Sequence, residues 1–181
     1  MSFDRAHLAR LVRDARGGKP AELFEALAPV AAAWARASCR THGEAEDVLQ
    51  ESLLELYRSI DRLNNDGAVL SWLRRAIRNN AADRARRRAV RREVGIEAAP
   101  EHGVECSPAD GLDSSDHRRA LLAALADLDD GEREMLTLRH DAGLSLAEIA
   151  EATGQSVRAV ESRLFRARRA LRARLQRDPR S

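Results

Sequence analysis

Between residues 44 and 60, Leu49, Leu53, Leu56 and Ile60 recur at i, i+4, i+7 and i+11, which is one stripe of a helix. Asp47, Glu51, Glu55 and Arg58 take the opposite side. The segment before it, 21–37, is apolar and alanine-rich and predicts another helix. Asn64-Asn65-Asp66-Gly67 signals a turn. Val69, Leu73, Ala76 and Ile77 then open a helix that runs into an arginine tract. Six arginines between Arg84 and Arg92 leave that end no core face.

Beyond residue 118 the pattern predicts four short helices. Leu121, Leu125 and Leu128 mark the first. The second, about 130–141, ends before Gly143, a residue suited to the position just past a helix end. Ser145 and Glu148 form a capping box, in which each side chain satisfies the other's backbone amide. That third helix ends near Gly154. Ser156 caps the fourth, whose stripe is Val157, Val160, Leu164, Leu171 and Leu175.

Composition supports an all-α fold. Aromatics are 3% of the chain, and of 31 basic residues all but Lys19 are arginine, so strand formers are scarce. All-β and doubly wound folds are excluded on that ground. The apolar stretch 28–35 contains Pro29 and is too short for a membrane span, so no membrane insertion is expected. The first residues lack the basic and apolar regions of a signal peptide. Cys39 and Cys106 do not make a disulfide framework. The expectation is a soluble, cytoplasmic protein.

The net charge of +2 argues against a nucleic-acid ligand only until it is divided along the chain. Residues 1–92 carry +6, residues 93–117 carry −7 with no basic residue, and residues 118–181 carry +3. The acidic stretch also holds Pro100, Gly103, Pro108 and Gly111, and it predicts a flexible, self-repelling linker. The expected organisation is therefore two small helical domains, 1–93 and 118–177, joined by an acidic linker, 94–117.

The third and fourth helices of the second domain carry the clearest chemistry. Ala150, Gly154 and Val160 have the spacing of a helix-turn-helix: a small residue at the crossing, a glycine at the turn and a valine in the shared core. Such a unit lays its second helix in the DNA major groove. Arg158, Ala159, Glu161, Ser162, Arg163 and Arg166 are the expected outward side chains. Arginine reads guanine in a bidentate way, and glutamate accepts from cytosine N4. The competing reading is a plain helical hairpin with a solvated arginine face.

The segment from Gly143 to Arg172 closely resembles region 4 of the extracytoplasmic-function (ECF) sigma factors of bacterial RNA polymerase. Ala45-Glu-Asp-Val-Leu-Gln-Glu51, Trp72-Leu73, Asn79 and Asp83-Arg84 with the arginine tract resemble region 2 of the same family. The resemblance covers about residues 20–177, with both regions in family order. It implies a subunit that takes core RNA polymerase to promoter DNA. Region 4 then reads the minus-35 element through Ser156, Arg158, Ala159, Glu161, Ser162, Arg163, Phe165 and Arg166.

The same resemblance implies that region 2 binds and opens the minus-10 element. The turn 63–68, with Asn64, Asn65 and Asp66, matches the loop that captures a flipped base, and its side chains offer donors and acceptors for an unstacked base edge. Trp72 and Asn79 match positions near the melting site, although Trp72 suits a core position equally well. Arg84, Arg87 and Arg88 suit phosphate contacts, which position but do not specify. Asp47, Gln50 and Glu51 match the segment that docks on the clamp helices of the polymerase's largest subunit, and the flap is the second expected contact. Without the resemblance, these three make an ordinary solvated face.

The resemblance also implies an anti-sigma factor as a partner. The acidic linker occupies the place of a connector that threads toward the RNA channel, where its charge could mimic RNA; a solvated spacer is the alternative. Three departures stand out: Glu161 replaces the usual basic residue, Ala76-Ile77 inverts the usual order, and Tyr57 replaces a common tryptophan.

No nucleophile–base pair, phosphate-binding glycine loop or complete metal motif is present, so neither an enzyme, nor a cofactor, nor a metal is expected. Cys39 and His42 are half a metal site, with chance spacing the better account. Two other readings stand beside the sigma factor. A stand-alone helix-turn-helix regulator has no need of residues 44–92. A sigma mimic that titrates an anti-sigma factor has little use for an arginine-rich last helix.

Overall fold

The computed structural model describes residues 5–63, 68–93 and 112–176. These form eight α-helices and, among the described residues, no strand. The first domain holds α1 (Arg5–Arg16), α2 (Ala21–Ser38), α3 (His42–Ser59) and α4 (Val69–Glu93), with a 3-10 turn at Ile60–Arg62. The second holds α5 (Leu112–Ala126), α6 (Asp130–His140), α7 (Leu146–Thr153) and α8 (Val157–Leu175).

The helix starts follow from local chemistry. Thr41, Asp129 and Ser156 each accept a hydrogen bond from the amide three residues on, at 3.2, 2.7 and 3.2 Å. Ser145 and Glu148 close the capping box in both directions, at 3.2 and 2.8 Å. Gly143 and Gly154 both have φ of +68°, the left-handed geometry that ends α6 and α7. Pro29 lies inside α2 but on its exposed side.

Three features differ from expectation. α1 was not anticipated, yet Leu8, Leu11, Val12 and Ala15 make a fully packed stripe. α5 begins at Leu112, so the last residues assigned to the linker are helical. On α3 the buried line is Ala45, Val48, Ser52 and Leu56, with Leu49 and Leu53 only half-buried beside it. Ser52 is tolerated in that line because its hydroxyl accepts a 3.1 Å bond from Asn80 Nδ2 of α4.

The two domains also touch. α2 packs on α6 and α4 meets α7, so one hydrophobic cluster runs from Leu8 to Ala167. At this seam Arg74 of α4 grips Glu134 of α6 in a two-bond pair, Nε to Oε1 at 2.5 Å and Nη2 to Oε2 at 2.7 Å. Arg133 donates to the carbonyls of Leu125 and Leu128 and, across the seam, to that of Ala37 at 2.9 Å. Arg36 pairs with Asp141 at 2.9 Å on the rim.

Candidate nucleic-acid interface

The α7–α8 unit is built as a helix-turn-helix. Gly154 turns the chain, and the Gln155 amide closes the turn on the Ala150 carbonyl at 3.0 Å. Ile149, Ala150, Val160, Leu164 and Ala167 are buried where the helices meet. That packing fixes which face of α8 is left outside. Arg158, Glu161, Ser162, Phe165 and Arg166 are exposed along it, and Ala159 is half-buried. Phe165 is 68% exposed, an aromatic ring with no core to fill.

Two of the expected DNA-reading residues are otherwise engaged. Ser156 spends its hydroxyl as the helix cap. Arg163 is half-buried, and its Nη1 donates to Gln155 Oε1 at 3.0 Å. Its Nη2 sits 3.2 Å from the place a Cβ would take at Gly131, so that glycine permits the close approach to α6.

In the first domain, Asn79 and Arg87 are exposed on α4, whereas Trp72 is half-buried against the core. Asn64, Asn65 and Asp66 lie outside the described residues. The segments flanking them are pinned. Arg16 of α1 donates to the carbonyls of Ile60 and Leu63, at 3.0 and 2.6 Å, and Ser71 donates to that of Ala68 at 2.9 Å. Arg16 was missed with its helix.

Arg84 and Arg88, expected on the DNA side, turn toward α3. Arg84 pairs with Asp47 at 2.8 Å and with Glu51 at 3.7 Å, and Arg88 pairs with Glu44. The Arg84 Nε is buried without a hydrogen-bond partner. Asp47, Gln50 and Glu51 all remain exposed. Beyond them on α3 come Leu54 and Tyr57, 54% and 57% exposed. Tyr57 leans on Phe24 of α2 with ring centres 6.3 Å apart. Leu54 stands off the leucine stripe, which was its only signal in the sequence.

The Arg86 guanidinium beside Asp83, hydrogen-bonded to it, holds that carboxyl below its usual range. Arg74 is pushed above its ordinary value by its bonds to Glu134, with burial opposing. Burial raises the Cys39 thiol to about 11 against the opposing pull of Arg84 and Arg88. His42 is exposed and pairs with Glu46 at 3.1 Å, and no cluster of three or more metal-ligating side chains occurs among the described residues. No described helix is long and apolar enough to cross a membrane.

Comparison with known proteins bears on this geometry. Residues 23–91 match the model of Sigma-70 region 2, and residues 118–171 match that of Sigma-70 region 4. The ECF RNA polymerase sigma-E factor of Haemophilus influenzae is 30% identical over 145 residues, covering 75% of this chain and 77% of that protein. The chain belongs to the ECF sigma factors. The sigma-E factor of Salmonella typhimurium is 33% identical over 143 residues, covering 74% and 75% of the two chains. The structure of CnrH in complex with the cytosolic domain of CnrY aligns over 97% of this sigma factor and 99% of that chain, with TM-score 0.60 and 27% identity. RpoE from Bartonella quintana, in complex with the anti-sigma factor NepR, shares the fold at 24% identity, TM-score 0.57, over 87% and 96% of the chains. As a sigma factor, the protein directs RNA polymerase to promoters.

Proposed function

We propose that the exposed face of α8 reads the minus-35 element while α4 and the loop before it bind and open the minus-10 element. The observation that carries this reading is the face of α8 itself. The α7 packing and Gly154 turn leave Arg158, Glu161, Ser162, Phe165 and Arg166 exposed, so that four polar side chains and one apolar ring can meet base edges and phosphates. Arg163 and Ser156 act within the domain, one bracing the turn and the other capping the helix.

Opening needs no turnover. Unstacking a base step costs about a few kcal/mol, which binding of the extruded base and its phosphates offsets. Asn79 and Arg87 serve that role on α4. Asp47, Gln50 and Glu51, extended by the apolar Leu54 and Tyr57, form the face that meets core polymerase; Arg84 fixes the two acids from behind. An anti-sigma protein is the natural regulator, as RpoE is in complex with the anti-sigma factor NepR. The −7 stretch at 93–117 offsets the +6 and +3 of the two DNA-facing parts, which hides them in the average.

The test is reconstitution with core polymerase on a genomic library, followed by sequencing of the transcripts. Start sites sharing one two-part upstream motif support the reading. Transcripts without a shared motif contradict it.

A further inference from the structure

A cavity of about 230 Å³ lies where α2 and α4 meet α6 and α8. Trp34 and Ser38 of α2 and Arg78 of α4 line one wall, and Gly131 of α6 and Arg163 of α8 line the other. Trp34 is 1% exposed, and its indole Nε1 finds no hydrogen-bond partner in the protein. An indole N–H can only donate, and a buried donor without an acceptor is costly. That cost is recovered when something in the cavity supplies an acceptor.

The acceptors of the lining are already engaged. Asp129 takes the Glu132 amide on Oδ1 at 2.7 Å as the cap of α6. Both Glu134 oxygens are held by Arg74. The Asp130 side chain is 84% exposed and stands 3.7 Å from Arg133. The donors are in surplus. Arg78 is exposed and makes no ion pair or side-chain hydrogen bond among the described residues. Arg163 commits Nη1 to Gln155, while Nη2 lies against Gly131. Two guanidinium forks and an indole N–H suit an oxyanion, whose oxygens accept several charge-assisted bonds at once. Three arginines and three carboxylates line the cavity, so its charge is balanced and selection rests on donor geometry. Pockets for drug-sized ligands run to about 300–1,000 Å³, so this one suits a phosphate-sized group with a few waters rather than a nucleotide.

We propose that this cavity is a binding site for a phosphate-class oxyanion, either inorganic phosphate or the phosphate group of a small monoester, held by Trp34 Nε1, Arg78 and Arg163. The ligand binds the folded chain and not the unfolded one, so it raises thermal stability by mass action. Arg163 ties the site to the helix-turn-helix, because the same side chain braces Gln155 in the turn before α8.

Two-dimensional NMR of the nitrogen-15-labelled full chain reports on the site directly. The chain has two tryptophans, Trp34 and Trp72, and hence two indole N–H signals, which a Trp72→Phe variant assigns. Sodium phosphate should move the Trp34 signal along a saturable curve and leave the Trp72 signal in place, with sodium chloride at matched ionic strength as the control. Arg78→Gln, at an exposed position with no bond to lose, should weaken binding about tenfold, as removal of a charge-assisted bond does. Gly131→Ala should weaken it too, because the new Cβ would stand 3.2 Å from Arg163 Nη2 and 3.3 Å from Asp129 Oδ1. Thermal unfolding should shift upward with phosphate, and less so in Arg78→Gln. Glycerol phosphate in a parallel titration separates the two sources: tighter binding than inorganic phosphate assigns the site to a monoester, and weaker binding assigns it to the free ion. A Trp34 signal that does not saturate, or that moves equally in sodium chloride, overturns the site and leaves the indole to water alone. Equal binding by the wild-type chain and Arg78→Gln overturns it as well.

Discussion

Phe165 and its neighbour Leu164 separate recognition from folding within two residues. Leu164 is 3% exposed and fills the junction of α7 and α8, whereas Phe165 is 68% exposed. Truncating Leu164 to alanine removes buried methyl groups and leaves a cavity, a loss of about 2–5 kcal/mol in stability. A phenylalanine with a third of its surface covered buries about 60 Å², so Phe165→Ala costs at most about 1.5 kcal/mol at ~25 cal/mol per Å². Its effect on DNA should be larger. An apolar ring in the major groove meets thymine methyl groups, and loss of a base contact costs about 1–3 kcal/mol, or roughly 5- to 150-fold in affinity. Thermal unfolding of both variants and anisotropy titration of a minus-35 duplex measure the two effects. Phe165→Ala should weaken binding with a modest change in melting temperature, and Leu164→Ala should do the reverse until it begins to unfold. The reasoning fails if Phe165→Ala destabilises the chain as much as Leu164→Ala, or if its affinity for every base variant of the element equals that of wild type.

Arg158→Ala should lose about 1–3 kcal/mol of promoter affinity and flatten base preference at one position, whereas Arg166→Ala should weaken all sequences alike; base-substituted duplexes in parallel titrations separate the two outcomes. Asp47→Arg should abolish polymerase binding while costing only about 0.2–1 kcal/mol of stability, the scale of a surface pair. Arg84→Ala, which breaks the same pair, should weaken polymerase binding far less; equal loss in both would show that Asp47 acts only by holding Arg84. Cys39, with its thiol pKa raised from 9.0 to about 11, should react with iodoacetamide about a hundredfold more slowly than a free thiol at pH 8, measured in a Cys106→Ser background. The folded chain holds that proton more tightly than the unfolded chain. The associated stability is therefore complete below pH 9 and is lost as the pH rises toward 11.

Much of the fold was legible because it rests on local chemistry. Ser145 with Glu148, Ser156 and the glycines at 143 and 154 act within one turn of themselves, and each lies at the end its sequence announced. Residues whose partners are distant were not legible. Arg84 and Arg88 belong to an arginine tract that suits phosphates, yet α3 lies beside them and presents Asp47, Glu51 and Glu44. Arg163 occupies an outward-looking position in a helical count, but Gln155 and the first turn of α6 draw it in. The Arg74–Glu134 pair, 60 residues apart in sequence, carries no local signature.

The central claim, that two domains read two elements and open DNA only with the polymerase, is tested most directly by permanganate mapping of thymines on one promoter. The account predicts reactive thymines at the minus-10 element when the chain and core polymerase are both present, and duplex-like protection when either is omitted. Reactivity with the chain alone, or protection of both elements by the chain without polymerase and without any opening when it is added, would contradict it.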